Sequence, residues 1–520
     1  MIIFVTSMRK LFLALLSGLL FALSWPSTGF FPLIFFAFIP LLILEKESKN
    51  GSQVFWYSFF AFFLFNIITT YWIYHATIVG AIIAFIINST LMAFSFWLFH
   101  KIKTITKEKL GYFSLIVLWI SMEYLHLNWD LSWPWLTLGN VFATNPYIIQ
   151  WYEFTGFLGG TLWVILVNLL LYGIYRLYTI YRLLLTVCIV LFPVFLSLYI
   201  YFSHDYREDN AVEVVIVQPN VDPYLEKFDL AHDLQLNNFI VLAESVVTKE
   251  TELLVGPETA LIEGIWENQN NNYDKIQSIS KLKDFQAKYP RLNIVIGATS
   301  YKLFKSSDKK SNTAREIINE NIFYDAYNSA FFLNKNGDIE VYHKTKLVPG
   351  VEKMPFPKML DPLAKLAVDL GGTSGSLASD NYLNLFKFSR VKISPLICYE
   401  SVYGEMIPSE KNLITIITND GWWKNTAGYK QHLVYATLRA IEQRKFVVRS
   451  ANTGISAVVN SRGDIVQQSE WNEAVCLSSK VQLNNSITFY NRFGDYIGRL
   501  SAFVAIILLA LSYVKSKLNT

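Results

Sequence analysis

Charge is scarce in this 520-residue chain: Asp, Glu, Lys and Arg make up 17% of it, against roughly 25% in an average globular domain. Hydrophobic residues reach 52% and aromatics 16%, with a mean hydropathy of +0.31. A large part of the chain must therefore avoid water, and disordered, collagen-like and low-complexity classes are excluded. A net charge of +4 leaves no electrostatic footprint for a nucleic-acid partner. Cysteine is rarer still. Cys188, Cys398 and Cys476 cannot build a disulfide framework, and no CxxC or Cys/His cluster has the spacing of a metal site. A Gly-Lys-Ser/Thr phosphate loop is also missing: Gly371-Gly-Thr-Ser-Gly375 lacks the lysine and reads as a flexible loop, so no nucleotide or other cofactor is expected.

What is abundant is apolar sequence in long runs. Leu11 to Leu44 and Val54 to Phe99 contain no charged residue, and each is long enough for two membrane crossings of about 20 residues. Pro26-Ser-Thr-Gly29 divides the first and Tyr74-His-Ala-Thr77 the second. Further runs at 111–128, 157–175 and 183–203 bring the expected helices to seven, and 496–514 adds an eighth after a long polar segment. With the N-terminus inside, Arg9, Lys10, Lys46, Lys49, Lys101, Lys103, Lys107, Lys109, Arg176, Arg182, Lys515 and Lys517 all fall on the cytoplasmic side. The loops at 25–29, 74–78 and 129–156 contain no Lys or Arg, as the positive-inside rule requires of the opposite side. A cleaved signal peptide ending near Ala22-Leu-Ser24 is the rival reading of the start, but removing the first helix would reverse the charge logic of every later loop. The sequence thus divides into a membrane domain (1–203), a domain outside the cytoplasm (204–495), and a final crossing with a short cytoplasmic tail (496–520).

Between 204 and 495 the apolar runs shrink to strand length. Glu213–Val217, Glu252–Val255, Leu292–Ile296, Val391–Ile397 and Leu413–Ile417 read as buried strands rich in β-branched residues. Ala330–Leu333 with Ile339–Tyr342, and Ser456–Val459 with Ile465-Val466, read as hairpins across Asn334–Asp338 and Ser461–Asp464. Helical patterns lie at 226–248, 272–288 and 429–445. Strands alternating with helices predict one α/β layered domain.

Several strands end in polar residues, and catalytic groups collect at the C-terminal strand ends of α/β sheets. Gly256-Pro-Glu258 follows one strand, His343-Lys344 closes a hairpin, and Cys398-Tyr-Glu400 follows another. A thiol with an ordinary pKa near 8.5 gains from a carboxylate that takes its proton and a cation that lowers its pKa. The cation, together with the backbone N–H just after the cysteine, can then face a developing oxyanion. Taken singly, each residue has a plainer reading. Cys398 could be a small buried hydrophobe or pair with Cys476, Glu258 could cap a helix, and Lys344 could be a solvated strand end. His343 is an alternative base for Cys398.

The set Gly-Pro-Glu258, Tyr342-His-Lys344-Thr-Lys-Leu-Val-Pro349, Ile397-Cys-Tyr-Glu400 and Thr418-Asn-Asp-Gly-Trp-Trp423 resembles the motifs of the nitrilase superfamily. Leu438-Arg-Ala-Ile-Glu442 and Arg449-Ser-Ala-Asn-Thr-Gly454 add to it, and the membrane helices make the whole chain similar to its membrane-embedded branch, the bacterial apolipoprotein N-acyltransferases. The resemblance implies an α-β-β-α sandwich on the periplasmic side of the bacterial inner membrane. It implies Glu258 as general base, Lys344 as stabiliser of the tetrahedral intermediate, and Cys398 as the acylated nucleophile. It also implies supporting roles for Glu352, Tyr399 and Glu400. The partners it implies are a phospholipid acyl donor and a diacylglyceryl-apolipoprotein acceptor. One departure stands out: the family's Leu-Val-Pro-Phe-Gly-Glu is here Leu347-Val-Pro-Gly-Val-Glu352, with the glycine moved by one position.

Trp422 and Trp423 are candidates for acyl contacts. Trp129, Trp133, Trp135 and Trp151 read first as an interfacial aromatic belt and second as a lipid gate. Glu123, inside the fifth helix, is either functional or snorkels to the interface. Two other classes compete. A membrane-tethered amidase or nitrile hydrolase would use the same triad with water as acceptor, and a transporter or scaffold would need the helices but not the triad.

Overall fold

The computed structural model describes all residues except 1, 27–28, 205–209, 228, 268–272, 306–308, 318–319, 357–375 and 519–520, so the loop at 371–375 lies outside the described residues. The chain forms two compact units. One comprises residues 1–74, 78–204 and 488–520, the other 75–77 and 205–487.

The first unit is helical: α1 (Ile2–Ser24), α2 (Ile39–Glu47), α3 (Gly51–Thr70), α4 (Ile78–Thr106), α5 (Glu108–Leu127), α6 (Phe157–Arg176), α7 (Ile180–Ser203) and a C-terminal helix, Tyr496–Leu518. Seven of these are long and apolar enough to cross a membrane; α2 is not among them. The second expected crossing is a 3-10 turn, Phe31–Phe36, followed by the nine-residue α2. Pro32 and Pro40 each open one of these pieces, since a proline has no N–H to continue a preceding helix. Lys101, Lys103, Lys107 and Lys109 lie on almost continuous helix. Helix α4 runs to Thr106 and α5 starts at Glu108, leaving Lys107 alone at the corner in a left-handed conformation, φ 76°.

Glu123 does not snorkel. Its carboxylate is buried and accepts hydrogen bonds from Trp119 Nε1 (3.0 Å), the Leu138 amide (2.9 Å) and Thr161 Oγ1 (2.7 Å), tying α5 to α6 and to the loop between them. Glu45 on α2 is likewise buried, between His100 (2.7 Å) and Lys103 of α4. Of the four tryptophans read as a belt or gate, Trp135 and Trp151 are buried and Trp129 and Trp133 half-buried, and Trp135 packs on Trp133 and Trp72 with ring centroids 5.5 and 5.0 Å apart. Inside α7, Pro193 cannot donate to the carbonyl four residues earlier. Trp163 of α6 donates to that carbonyl, Ile189 O, at 2.8 Å, so the break in the ladder becomes a link between two helices.

The second unit holds fourteen strands among the described residues: β1 (Ala211–Gln218), β2 (Leu253–Val255), β3 (Leu261–Trp266), β4 (Asn293–Leu303), β5 (Arg315–Ile317), β6 (Ile322–Leu333), β7 (Ile339–His343), β8 (Phe386–Phe388), β9 (Val391–Ile397), β10 (Leu413–Thr418), β11 (Val447–Ala451), β12 (Ala457–Val459), β13 (Ile465–Gln468) and β14 (Val475–Gln482). One sheet runs β14-β1-β2-β4-β6-β5, with β3 beside β4 and β7 beside β6; the other runs β13-β12-β11-β10-β9-β8. Strands β1, β2 and β4 are mutually parallel, as are β9, β10 and β11. Such strands are buried on both faces, and the alternation is visible in β1. Val214 and Ile216 join Val255, Phe332, Ile393, Ile397, Leu413 and Val448 in a core between the sheets. Val215 and Val217 face the other way, onto Leu236 and Phe239 of α8 (His232–Glu244) and Leu282 and Phe285 of α9 (Gln277–Gln286). Ala436 and Ala440 of α10 (Ala427–Gln443) cover Leu396, Ile414 and Ile416 on the outer face of the second sheet. The domain is thus a mixed α/β sandwich of two sheets with helices outside. The helical patterns at 226–248 and 272–288 shorten to α8 and α9, while both expected hairpins form, the second with an irregularity between Val458 and Val459.

Candidate active site

The C-terminal ends of β2, β7, β9 and β10 deliver the polar groups. After β2 the chain turns through Gly256-Pro257, and Glu258 lies against β4 at Gly297. A Cβ there would sit 2.6 Å from the Glu258 Cα and 2.5 Å from the next amide, so only glycine allows this approach. Lys344 follows β7. Its Nζ is buried and bonds to Glu258 Oε1 (3.2 Å) and Glu352 Oε1 (2.8 Å). Asn328 of β6 donates to the same two oxygens, at 2.7 and 3.1 Å, and the Asn419 amide after β10 donates to Glu258 Oε2 at 3.0 Å.

With the glycine at 350, Glu352 reaches Lys344. Gly350 adopts φ +78°, its amide donates to Lys353 O (2.8 Å), and the Val348 amide donates to Glu352 Oε2 (2.8 Å). The loop closes on itself and presents the carboxylate to Lys344.

Cys398 ends β9 and opens a 3-10 turn, Cys398–Val402, with φ +50°. This left-handed conformation costs a non-glycine residue about 1–2 kcal/mol and makes the strand-to-helix elbow on which nucleophiles are presented. All three cysteines are free thiols, so a bond to Cys476 is excluded. Burial pushes the Cys398 thiol well above its ordinary value, the Glu258 carboxylate pushes it further, and Lys344 opposes both. The resting group is therefore a thiol that needs a base. Burial works against the charge on Lys344, but Glu352 and Glu258 more than compensate, so it stays an ammonium.

Glu400 has a different part. Fully buried, its Oε1 accepts from the Tyr342 hydroxyl (2.5 Å), the Thr345 amide (2.6 Å) and the Thr345 hydroxyl (2.9 Å), and its Oε2 from the Ile397 amide (2.7 Å). It bolts the loop that carries Lys344 to the turn that carries Cys398. Tyr399 is buried and packs edge-on to Tyr403. His343 is turned away from Cys398. It stacks on Tyr327 (3.9 Å) between Glu267 (2.8 Å) and Asp380 (3.1 Å), which removes it as a base. Burial opposes its charge, yet Asp380 and Glu267 raise its pKa to about 9. Trp422 meets Tyr224 edge-on at 5.4 Å, and Trp423 lies 5.5 Å from the His432 ring; both are half-buried. The sequence reading missed Asn328 in mid-strand and Lys227, a buried lysine bonded to Thr259 beside Glu258. Burial lowers the Lys227 pKa to about 8, with Glu258 opposing.

Residues 213–489 match the carbon-nitrogen hydrolase family. The chain belongs to that family. Residues 17–170 match the apolipoprotein N-acyltransferase N-terminal domain, which places it in the membrane-embedded branch and makes it an acyltransferase. It is 27% identical over 530 residues to the apolipoprotein N-acyltransferase of Chlorobaculum tepidum, covering 98% of this chain and 97% of that one. Those of Geobacter metallireducens and Rickettsia prowazekii are 26% and 27% identical, each covering 98% of this chain and 96% and 99% of their own. This family member carries the Glu-Lys-Cys set in one buried cluster, with Asn328 and Glu352 around the lysine.

Proposed function

We propose that the chain transfers an acyl chain from a phospholipid, through a thioester on Cys398, to the α-amino group of the N-terminal diacylglyceryl-cysteine of apolipoproteins. The observation that carries this reading is Lys344 held between Glu258 and Glu352 beside a buried, protonated Cys398, in a chain with seven membrane-length helices among its described residues. Glu258 takes the thiol proton as sulfur attacks the ester carbonyl. Lys344 faces the tetrahedral oxyanion. Collapse breaks the C–O bond, Glu258 returns the proton to the leaving lysophospholipid alkoxide, and the acyl chain remains as a thioester. The acceptor amine then attacks that thioester, Glu258 takes its proton, and collapse gives the amide and the free thiol. The step from thioester to amide runs downhill, so two half-reactions suffice.

Glu352 keeps Lys344 in place, Glu400 fixes the two loops, and Tyr399 supports the nucleophile turn. Trp422 and Trp423 line the acyl path and keep water from the thioester. Eight crossings fit the charge pattern, because Phe31–Phe36 and α2 in series extend about 25–30 Å, close to the bilayer core. That topology puts both termini in the cytoplasm and the sandwich on the periplasmic side of the inner membrane. The same triad would serve a hydrolase with water as acceptor, and the names of the relatives favour transfer.

The deciding experiment gives the pure protein phospholipid alone and weighs it intact. The mass of one acyl chain should appear on Cys398 and persist until a diacylglyceryl peptide with a free α-amine is added. Discharge at the same rate with and without the amine would leave a membrane-bound hydrolase.

A further inference from the structure

Behind the nucleophile lies a second buried polar chain that the triad chemistry does not use. The Cys398 carbonyl oxygen accepts from Ser401 Oγ at 2.8 Å and lies 3.2 Å from His432 Nε2, which is 2.8 Å from Ser401 Oγ. His432 Nδ1 is 2.9 Å from Asp420 Oδ1, and Asp420 Oδ2 accepts from Arg449 Nη2 at 2.5 Å. Thr418 Oγ1 adds a bond to Asp420 Oδ1 at 2.9 Å. Arg449, Asp420, His432 and Ser401 are all buried, and Arg449 Nη1 is tied to the Ile455 carbonyl. Residues from β11, the end of β10 and α10 thus converge on one backbone carbonyl. That carbonyl can only accept, and Ser401 Oγ and His432 Nε2 both stand within hydrogen-bond reach of it, while Arg449 Nη2 also lies 3.1 Å from His432 Nδ1.

Why the molecule should grip this oxygen follows from peptide geometry. The 398–399 bond is trans, and in a planar trans peptide C=O and the next N–H point in opposite directions. Fixing the Cys398 carbonyl therefore fixes the Tyr399 N–H on the other side of the same plane. That N–H is the backbone donor just after the nucleophile, the kind that stabilises a tetrahedral oxyanion. Cys398 itself sits at φ +50°, a conformation that persists only when its surroundings over-determine it.

We propose that Arg449, Asp420, His432 and Ser401 are positioning residues that aim the 398–399 peptide at the oxyanion, so that its N–H acts there together with Lys344. The proposal rests on the thioester mechanism above. It predicts a split between two reactions of the same sulfur. Thioester formation from phospholipid passes through an oxyanion, whereas alkylation by iodoacetamide is a displacement at carbon that expels iodide and makes none.

Both rates are to be measured on the full-length protein in detergent, for wild type, His432→Leu, His432→Gln and Ser401→Ala. His432→Leu should slow acylation by roughly 10²–10³-fold, the span for loss of an oxyanion donor, while alkylation of Cys398 stays near the wild-type rate. Gln keeps an N–H of similar reach and should recover part of the loss. Ser401→Ala, which removes one of the two grips, should show the same split on a smaller scale and serves if His432→Leu does not fold. Acylation and alkylation falling together would mean that the chain merely props up the nucleophile pocket, and acylation unchanged would mean that it does nothing for the oxyanion; either overturns the proposal. Failure of wild type itself to acylate would instead remove the proposed function.

Discussion

Both units bury carboxylates, but they use them differently. In the helical unit Glu123 is surrounded by neutral donors from Trp119, Leu138 and Thr161, and Glu45 is clasped by His100 and Lys103. In the sandwich Glu400 follows the Glu123 pattern, with neutral donors filling both oxygens. Glu258 alone among these four shares a lysine with a second glutamate and raises the pKa of a neighbouring thiol. A buried carboxylate is therefore a knot by default, whether the surroundings are helices or sheets. Chemistry requires a nucleophile and a cation to be brought to the same oxygens. In the helical unit the buried charges of Glu45 and Glu123 tie helices together.

That comparison can be sharpened at Glu400. Glu400→Ala would strand the Tyr342 hydroxyl, the Thr345 hydroxyl and the amides of Thr345 and Ile397 in a buried site. The expected loss is about 3–5 kcal/mol of unfolding free energy, at the large end for one substitution, read from denaturant titration of the solubilised protein. Stability unchanged with activity abolished would make Glu400 a chemical participant and erase its likeness to Glu123. A smaller effect concerns His343, which also sits in a strand-end cluster without taking part in it. Its folded pKa of about 9 lies above the unfolded value of about 6.5. Its contribution is therefore fully present below about pH 6.5 and is lost as pH rises through 9, worth on the order of 1–3 kcal/mol. His343→Gln should flatten the fall of the melting temperature between pH 7 and 9.5. An unaltered slope would mean that the Glu267–His343–Asp380 cluster carries none of it.

What the sequence makes legible, and what it hides, follows the same division. Glu258, Lys344 and Cys398 each sit just past an apolar strand, so the local pattern locates them, and β-branched runs mark β1, β4, β9 and β10. Short or half-exposed strands carry no such pattern. β5 has three residues, β3 is interrupted by Gly264 at φ +73°, and β14 runs through Ser478-Ser-Lys480. The second apolar run is not one continuous helix, because hydropathy ignores Pro32 and Pro40. Asn328 and His432 have no signal at all, since their importance lies in partners 70 and 34 residues away. Glu45 and Lys103 are hidden for the same reason: they are 58 residues apart, and only the packing of α2 on α4 makes them a pair.

The most direct measurement compares Glu258→Gln with Glu123→Gln, one carboxylate from each unit, each variant scored for the rate of thioester formation on Cys398 and for unfolding free energy. Glu258→Gln should lose roughly 10²–10⁴-fold in rate, the usual cost of removing a general base, and, because its carboxylate also holds Lys344, Asn328 and the Asn419 amide, about 1–3 kcal/mol of stability as well. Glu123→Gln should lose about 1–3 kcal/mol of stability, because an amide cannot accept from all three donors, while the folded protein acylates at nearly the wild-type rate. If Glu123→Gln matched the rate loss of Glu258→Gln at full stability, the division between supporting and reacting carboxylates would be contradicted.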